Sequence, residues 1–259
     1  MFNLTNLQFP GKGPDLVYIY GPPSVGKSAL LADVKGERIG VYNPDQTVSN
    51  RLKAAGVSFD VITAEDGRAL FNVLEQACEI YDTLIVDDLM AVRVISGSMG
   101  DRKKEYALLS ERLPRLRSIL MERGRARIYV VDTIIDKQTW LKLVHSPFYR
   151  LALPNFDYIA QMRRTEQEGS YYSYVEFERA RTFPAGYTAK LLLRADGRFD
   201  PAYSTLEYEL RAGLVTHSGT WYIFPDRPVQ GLEEALQHVR ERSSPQHDGA
   251  NDPDRCGVR

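Results

Sequence analysis

The sequence predicts an α/β fold, in which a mainly parallel, twisted sheet is flanked by helices and extended by antiparallel strands. Apolar, strand-like runs alternate with helical patterns through the first half of the chain, and this alternation is typical of a parallel sheet covered by helices. From about Asp157 the pattern changes to extended segments separated by turn residues, which favours antiparallel strands added to the same sheet. With 259 residues, 43% of them hydrophobic, the chain is long enough for one sizeable core.

The first half of the chain is predicted to alternate between strands and helices. The predicted strands lie near Leu16–Tyr20, Arg38–Tyr42, Phe59–Thr63, Thr83–Asp87 and Arg127–Asp132. The predicted helices lie near Lys27–Val34, Thr47–Ala55, Gly67–Ile80 and Lys103–Glu122. Because a proline removes a backbone donor and clashes with the preceding turn, we expect Pro114 to kink or split the last of these helices.

The second half is predicted to begin with extended segments and to end with smaller elements. The extended segments are Tyr158–Arg163, Tyr171–Arg179 and Thr188–Arg194. They are followed by a short helix near Ala202–Arg211, a hairpin-like pair at Leu214–His217 and Thr220–Phe224, and a helix over Leu232–Arg242. Few large apolar residues follow, so we expect an N-terminal segment over 1–15, a core over 16–242 and a disordered tail over 243–259.

Composition excludes several classes of protein. No window approaches the roughly 18 to 20 apolar residues that a membrane span needs, and the N-terminus starts no secretory signal, so we expect a cytoplasmic protein without a membrane partner. The only cysteines, Cys78 and Cys256, provide neither a disulfide framework nor a zinc site. The net charge of −1 means that any nucleic-acid surface must be local.

The stretch "GPPSVGKS" follows an apolar strand and precedes a helix, which is the setting of a phosphate-binding loop. Its backbone N–H groups would turn inward around phosphate oxygens, Lys27 would reach the terminal phosphates and Ser28 would hold Mg²⁺. The predicted nucleotide-binding residues are Gly21, Pro22, Pro23, Ser24, Val25, Gly26, Lys27, Ser28 and Ala29. The alternative is a Gly-Pro-rich turn that only joins a strand to a helix.

A second acidic element follows the buried strand in "TLIVDDLM". We predict that Asp87 is the acid on the metal side of the site and holds Mg²⁺ through water, with Asp88 as its neighbour. The alternative is an ordinary strand that ends in a solvated acid pair. ATP is the expected nucleotide, because no guanine-reading N-K-x-D motif is present.

Four segments occur at spacings that resemble the RecA family of recombinases: "LVYIYGPPSVGKSAL", "DTLIVDDLMAV", "RARTFPAG" and "AGLVTHSGTWYIF". The resemblance covers about Leu16 to Arg242, and the run from Gly219 to Tyr222 is similar to the segment that follows the last core strands of bacterial RecA. Compact RecA-like proteins of bacteriophages, including annealing-type recombinases, are the nearest subclass. The resemblance implies a RecA-like P-loop NTPase core that binds ATP and Mg²⁺, in the bacterial host cytoplasm if the protein is phage-encoded.

The resemblance also implies roles for two residues near the nucleotide. Asp45 matches the family's carboxylate that orients the attacking water, although the bacterial family has a glutamate there; alternatively, Asn43 to Asp45 is simply a turn. Thr133 lies where bacterial RecA has a glutamine that senses the γ-phosphate. Since threonine is shorter, we expect weaker or different coupling between nucleotide and DNA.

Self-assembly is implied by two arginines in "FERARTF". Arg179 and Arg181 match lysines of RecA that reach the nucleotide of a neighbouring subunit, and they could act as arginine fingers. The alternative is a pair of solvated strand arginines paired with Glu176 or Glu178. If the first interpretation holds, hydrolysis requires a filament or ring, to which residues 1–15 could add an intersubunit strand.

Two segments match the DNA-facing loops of the family, because they combine cations with flat side chains on which bases can stack. The predicted DNA-binding residues are Arg102, Lys103, Lys104, Lys137, Trp140, Lys142, Phe148, Tyr149 and Arg150. Alternatively, the stretch around Trp140 is a short amphipathic helix packed on the core. Most of the arginines between 112 and 127 are expected to form a solvated helix face; the alternative is that they line the same groove.

The expected function is therefore an ATP-dependent RecA-like recombinase that binds single-stranded DNA and promotes pairing, strand exchange or annealing. One alternative is a degenerate RecA-like protein with weak or no ATPase activity, which acts as a regulatory or scaffold partner. Another is a RecA-fold motor or switch of a different pathway, such as a helicase loader, which should lack the "GTWY" run.

Overall fold

The structure is a computed structural model that describes residues 14–32, 34, 36–87, 102–133, 153–167, 169–182 and 185–243. The chain divides into two compact units, Met1–Ser204 and Thr205–Arg259. The predicted N-terminal segment and tail lie almost entirely outside the described residues, so their predicted states stay predictions.

An eight-stranded sheet forms the first unit. Its strands are β1 (Asp15–Gly21), β2 (Ile39–Tyr42), β3 (Asp60–Val61), β4 (Thr83–Asp87), β5 (Arg127–Thr133), β6 (Tyr158–Gln167), β7 (Ser170–Arg179) and β8 (Thr188–Leu193). They lie in the order β3-β2-β4-β5-β1-β6-β7-β8. The first six strands of that order pair in parallel, and β7 and β8 continue the sheet in antiparallel pairs. The predicted α/β class with added antiparallel strands is confirmed.

Helices cover both faces of this sheet: α1 (Lys27–Ala32), α2 (Thr47–Ala54), α3 (Gly67–Ala77) and α4 (Arg102–Arg123), with a 3₁₀ turn at Leu153–Asn155. Side chains of β1 alternate between the two cores, since Tyr18 packs with Leu74 and Leu113 on one face while Ile19 packs with Leu30 on the other. This alternation is why β1 is buried along its whole length.

Helix α4 contains Pro114 and is nevertheless continuous, so a split at this residue is wrong. Pro114 is exposed, whereas Leu113, Leu116 and Leu120 are buried in the core beside the sheet. Packing of that apolar stripe holds the helix together against the cost of roughly 3 kcal/mol that an interior proline brings.

The arginines between 112 and 127 form ion pairs, and they divide by exposure: Arg115, Arg123 and Arg125 are more than half exposed, as predicted for a mostly solvated face, whereas Arg112, Arg117 and Arg127 are less exposed. The pairs are Arg112–Glu75 (3.1 Å), Arg115–Glu75 (3.0 Å), Arg117–Asp157 (2.7 Å), Arg123–Glu79 (2.8 Å), Arg125–Asp82 and Arg127–Asp15 (2.7 Å). Their acids lie on α3, after α3 and at the beginnings of strands, so these arginines fasten α4 and β5 to their neighbours.

Helix α5 (Pro201–Arg211) contains the division point between the units, and the second unit continues with β9 (Thr216–Ser218), β10 (Trp221–Ile223), β11 (Pro228–Gln230) and α6 (Leu232–Ser243). The three strands form a small antiparallel sheet in the order β11-β10-β9. The predicted hairpin is confirmed, and Gly219 turns it with a φ of 60°. Strand β11 was not predicted, because it has three residues and begins with a proline.

No helix in the part of the chain that the structure describes combines the length and the apolar character that a membrane crossing requires.

Candidate nucleotide-binding site

The predicted nucleotide residues meet at one edge of the large sheet. Strands β1, β4 and β5 are parallel, so their carboxyl ends lie at the same edge. In the register of the sheet Gly21 is level with Thr133, and Asp87 is level with Val131. The phosphate loop, the acidic residue and the threonine thus converge although they are far apart in sequence.

The loop from Gly21 to Ser28 has the backbone shape of a phosphate cradle. Ser24 and Gly26 adopt positive φ values of 61° and 95°, and alternation of this kind turns consecutive N–H groups towards one concave side. At Gly21 a glycine is required for a steric reason, because a Cβ there would lie 2.4 Å from the carbonyl oxygen of Met162. At Gly26 a Cβ would lie 2.7 Å from the ring of Phe199.

Lys27 is held inside this loop. Its ammonium group donates to the carbonyl oxygens of Gly21 at 2.9 Å and Pro22 at 2.7 Å, and the residue is only 7% exposed. Ser28 follows on the first turn of α1 and is partly exposed. The lysine is therefore anchored beside the concave side of the loop, in reach of the predicted phosphates.

Two carbonyl oxygens of the loop are bound from outside by residues that the sequence did not indicate. Arg164 on β6 donates to the carbonyl oxygen of Ser24 at 2.9 Å. The hydroxyl of Ser173 on β7 donates to the carbonyl oxygen of Val25 at 2.7 Å. These contacts span 140 and 148 residues of sequence, so only the fold reveals them.

Asp87 is 8% exposed at the end of β4. Burial raises the pKa of Asp87 to about 6, the nearby Asp45 carboxylate adds to the rise and Lys27 opposes it. A cation beside Asp87 would relieve this cost, and the hydroxyl of Ser28 is another oxygen donor of the kind that Mg²⁺ prefers. The chemistry of these two side chains therefore fits the predicted Mg²⁺.

Asn43 links the two acids of the site. Its amide nitrogen donates to Asp45 Oδ1 at 2.5 Å and to Asp87 Oδ2 at 3.1 Å, while its amide oxygen accepts from the Ser49 amide at 3.2 Å. Asn43 was not predicted as a site residue, because asparagine followed by Pro44 and Asp45 is typical of a turn. A polar residue directly after a buried strand was the available signal.

Asp45 lies in a turn and also beside Asp87. Its Oδ1 accepts from the Thr47 amide at 3.0 Å. Burial pushes the pKa of Asp45 upward, but hydrogen bonds from Thr47 and Asn43 outweigh burial and hold that pKa below its usual value. Asp45 is therefore kept ionised next to Asp87, and its role towards water stays a prediction.

Thr133 ends β5 beside the start of the phosphate loop. Its neighbour Asp132 is fully buried and accepts from the hydroxyl of Tyr18 at 2.7 Å. Asp132 was not predicted to have a role. Its partner Tyr18 lies on β1, and no local feature of the sequence indicates that β5 pairs with β1.

The side chains of Arg179 and Arg181 make their contacts near the amino end of β1, away from the phosphate loop. Arg179 donates to the carbonyl oxygen of Pro154 at 3.0 Å, and Arg181 lies 3.6 Å from Asp15. Asp15 is the first residue of β1 and Gly21 is the last, which separates them by about 20 Å at the usual rise of a strand. These arginines therefore lie far from the phosphate loop of their own chain.

The predicted DNA-binding residues are described only in part. Arg102, Lys103 and Lys104 begin helix α4, so their backbone is helical and does not belong to a flexible loop. The others lie outside the described residues: Lys137, Trp140, Lys142, Phe148, Tyr149 and Arg150.

Comparison with known proteins supports the fold. No protein-family model matches the chain, and no curated protein matches it. Among solved structures, the crystal structure of the RadB recombinase matches with a TM-score of 0.52 and 18% sequence identity, over 72% of this chain and 91% of that chain. RadB belongs to the RecA family, so the chain has a RecA-like α/β fold.

Proposed function

We propose that the protein is an ATP-dependent, RecA-like recombinase that binds single-stranded DNA and promotes pairing, strand exchange or annealing in recombination and repair. The observation that carries the proposal is the convergence of a complete phosphate loop with Asp87, Asn43, Asp45 and Thr133 at one edge of a RecA-like sheet. Two further parts of the proposal rest on the sequence resemblance alone: that the protein is a compact RecA-like protein of a phage, and that it acts in the cytoplasm of a bacterial host.

In this proposal, ATP is bound by the backbone N–H groups of the loop and by Lys27. Ser28, and Asp87 through water, would hold Mg²⁺, which would supply positive charge against the phosphates. Asp45 accepts a hydrogen bond from the attacking water and orients it towards the terminal phosphate. Asn43 donates to both carboxylates and so holds Asp45 and Asp87 at a fixed spacing, with Asp45 assigned to the water and Asp87 to the cation.

The arginine pair acts on the nucleotide of another copy of the chain. Arg181 is 56% exposed, and its acid Asp15 already pairs with Arg127 at 2.7 Å. An exposed contact of 3.6 Å is weak, so Arg181 can exchange it for a phosphate without leaving a buried carboxylate alone. ATP then lies between copies, and hydrolysis requires a filament or a ring.

Subunit mixing tests this proposal. Wild-type ATPase activity should rise on adding single-stranded DNA and vanish in Lys27→Ala and in the double variant Arg179→Ala/Arg181→Ala. A mixture of the two inactive proteins should regain about one quarter of the activity at equal amounts, because a random assembly places an intact loop beside intact arginines at one contact in four.

Arg163→Ala is the matched control, since Arg163 lies on the neighbouring strand and pairs with Glu176. It should leave hydrolysis unchanged. The proposal of action between copies fails if the mixture assembles and stays inactive, or if the double variant alone keeps full activity.

DNA binding is proposed to use the basic start of α4 together with the residues between 137 and 150. Affinity for a fluorescent oligonucleotide should fall steeply with salt, as contacts to phosphates require. The double variant Trp140→Ala/Lys142→Ala should weaken binding by at least tenfold, because a stacked base and a phosphate contact are both lost. Unchanged affinity would remove these two residues from the interface.

A degenerate scaffold without turnover is the second candidate, and two residues favour it. Asp45 is shorter than glutamate and Thr133 is shorter than glutamine, so both reach less far into the site. This candidate predicts weak or no hydrolysis at any concentration of DNA, whether or not nucleotide binds, whereas the leading proposal predicts DNA-stimulated turnover that depends on Lys27.

A further inference from the structure

The outer side of the phosphate loop is bound by two side chains that face each other across a hairpin. Arg164 on β6 and Ser173 on β7 are directly paired in the register of the two strands. They donate to consecutive carbonyl oxygens, those of Ser24 at 2.9 Å and Val25 at 2.7 Å. Because the loop turns its N–H groups inward, donors on the outside bind the carbonyls that must point outward.

The guanidinium group of Arg164 is itself supported. It lies over the ring of Tyr171, 4.7 Å from the ring centre, and Tyr171 is two residues before Ser173 on the same face of β7. Stacking on an aromatic ring limits the conformations of a long side chain, so less freedom is lost when the hydrogen bond forms.

The loop needs such support because its backbone is unfavourable by itself. Ser24 is a non-glycine residue with a φ of 61°, in the left-handed region that L-residues rarely adopt. Behind Gly26 the ring of Phe199 and the hydroxyl of Ser173 leave no room for a side chain. The contacts of the hairpin therefore oppose relaxation of the loop away from the cradle shape.

We propose that Arg164 is a positioning residue that holds the phosphate loop in its ligand-accepting conformation before any ligand arrives, with Tyr171 as its platform and Ser173 as a second contact. The inference rests on the proposed function only for the identity of the ligand, a nucleotide phosphate. A preformed loop favours the ground state and the transition state equally, so loss of Arg164 raises Kd and KM and leaves kcat unchanged.

Hydrogen–deuterium exchange of the ligand-free protein tests the inference without any nucleotide. In Arg164→Gln, the amide of Leu30, which donates to the loop carbonyl of Gly26 at 2.9 Å, should exchange several-fold faster than in the wild type. Arg163→Gln is the matched control, because Arg163 lies on the opposite face of β6 and pairs with Glu176. Equal exchange in the two variants would overturn the proposal.

The platform is tested by a second pair of variants. Tyr171→Phe keeps the ring and should behave as the wild type, whereas Tyr171→Ala should accelerate exchange as Arg164→Gln does. Matching thermal unfolding of all variants would show that the hairpin itself is intact. Slow exchange in Tyr171→Ala would remove Tyr171 from the proposal.

Binding of a fluorescent ADP analogue with Mg²⁺ gives the second measurement. Arg164→Gln should bind about tenfold more weakly, the loss of one charge-assisted hydrogen bond, and Arg164→Lys should recover part of the affinity. A fall in kcat with unchanged affinity would overturn the positioning role.

The two hypotheses fail separately. If the wild type binds no nucleotide while Arg164→Gln still loosens the loop, the proposed function is wrong and the positioning role of Arg164 is supported. If the wild type binds nucleotide and the exchange rates of the variants do not differ, the positioning role is wrong and the proposed function is supported.

Discussion

Replacing Asp87 by asparagine is expected to stabilise the ligand-free protein and to abolish the proposed ATP hydrolysis. The pKa of Asp87 is raised from 3.8 to about 6, mainly by burial. Each pKa unit corresponds to about 1.4 kcal/mol, so ionised Asp87 costs the folded state about 3 kcal/mol at neutral pH. The new amide side chain in Asp87→Asn has the same shape and still offers an oxygen to Asn43, so most of this cost should be recovered.

The gain should depend on pH with a definite sign. Above the folded pKa of about 6, Asp87 is ionised in both states and the full cost is present. As the pH falls from about 6 towards 3.8, folded Asp87 is protonated first and the cost fades. The advantage of Asp87→Asn should thus shrink from about 3 kcal/mol at about pH 7.5 to about 1 kcal/mol at about pH 4.5.

Urea denaturation at the two pH values measures this difference. With a typical slope of about 2 kcal/mol per molar urea, the midpoint should rise by roughly 1 to 2 M at neutral pH. Asp45→Asn is the control, because hydrogen bonds lower the pKa of Asp45 and its ionised form is favoured. A gain in the control, a loss in Asp87→Asn or a difference independent of pH would refute the reasoning.

Two further substitutions test the fold around the site. Gly21→Ala places a Cβ about 2.4 Å from the carbonyl oxygen of Met162, so it should cost roughly 2 to 4 kcal/mol of unfolding free energy and weaken nucleotide binding; normal stability in calorimetry would contradict the close approach. Glu75→Gln leaves the buried Arg112 only the exposed Glu111 at 3.7 Å and should cost about 3 kcal/mol, whereas Glu79→Gln, in an exposed pair, should cost under about 1 kcal/mol. Equal urea midpoints of Glu75→Gln and Glu79→Gln would contradict the expectation that the buried ion pair contributes more to stability than the exposed one.

The parts that could be predicted from sequence depend on local pattern. Alternation of apolar runs with helical patterns predicts the parallel sheet, and "GPPSVGKS" predicts the loop because its glycines and lysine act within one short segment. The predicted strand Thr83–Asp87 matches the observed bounds, and the strand over Arg127–Asp132 extends by one residue to Thr133.

The parts that could not be predicted depend on which elements become neighbours. Arg164 looks like an exposed strand arginine until β6 lies beside the loop, 140 residues away in sequence. Asn43 looks like a turn former until β2 and β4 pair and bring it to Asp87. The arginines of α4 look solvated because their acids, such as Glu75, belong to other elements. In each case the partner of the side chain lies far away in sequence. The local preference of the residue is read correctly from the sequence, but it does not identify that partner.

The placement of the phosphate loop and the arginine pair near opposite ends of β1 gives any working assembly a direction. Each copy would offer its loop to one neighbour and its arginines to the other, a head-to-tail contact that closes into a ring or grows as an open helix. An open helical assembly always has one terminal phosphate loop that no arginine reaches, so turnover per copy would rise with the number of copies. In a closed ring, every phosphate loop faces the arginines of a neighbour. Turnover per copy, measured on assemblies separated by size, therefore distinguishes the two architectures: it should rise with size for an open chain and stay constant for a closed ring.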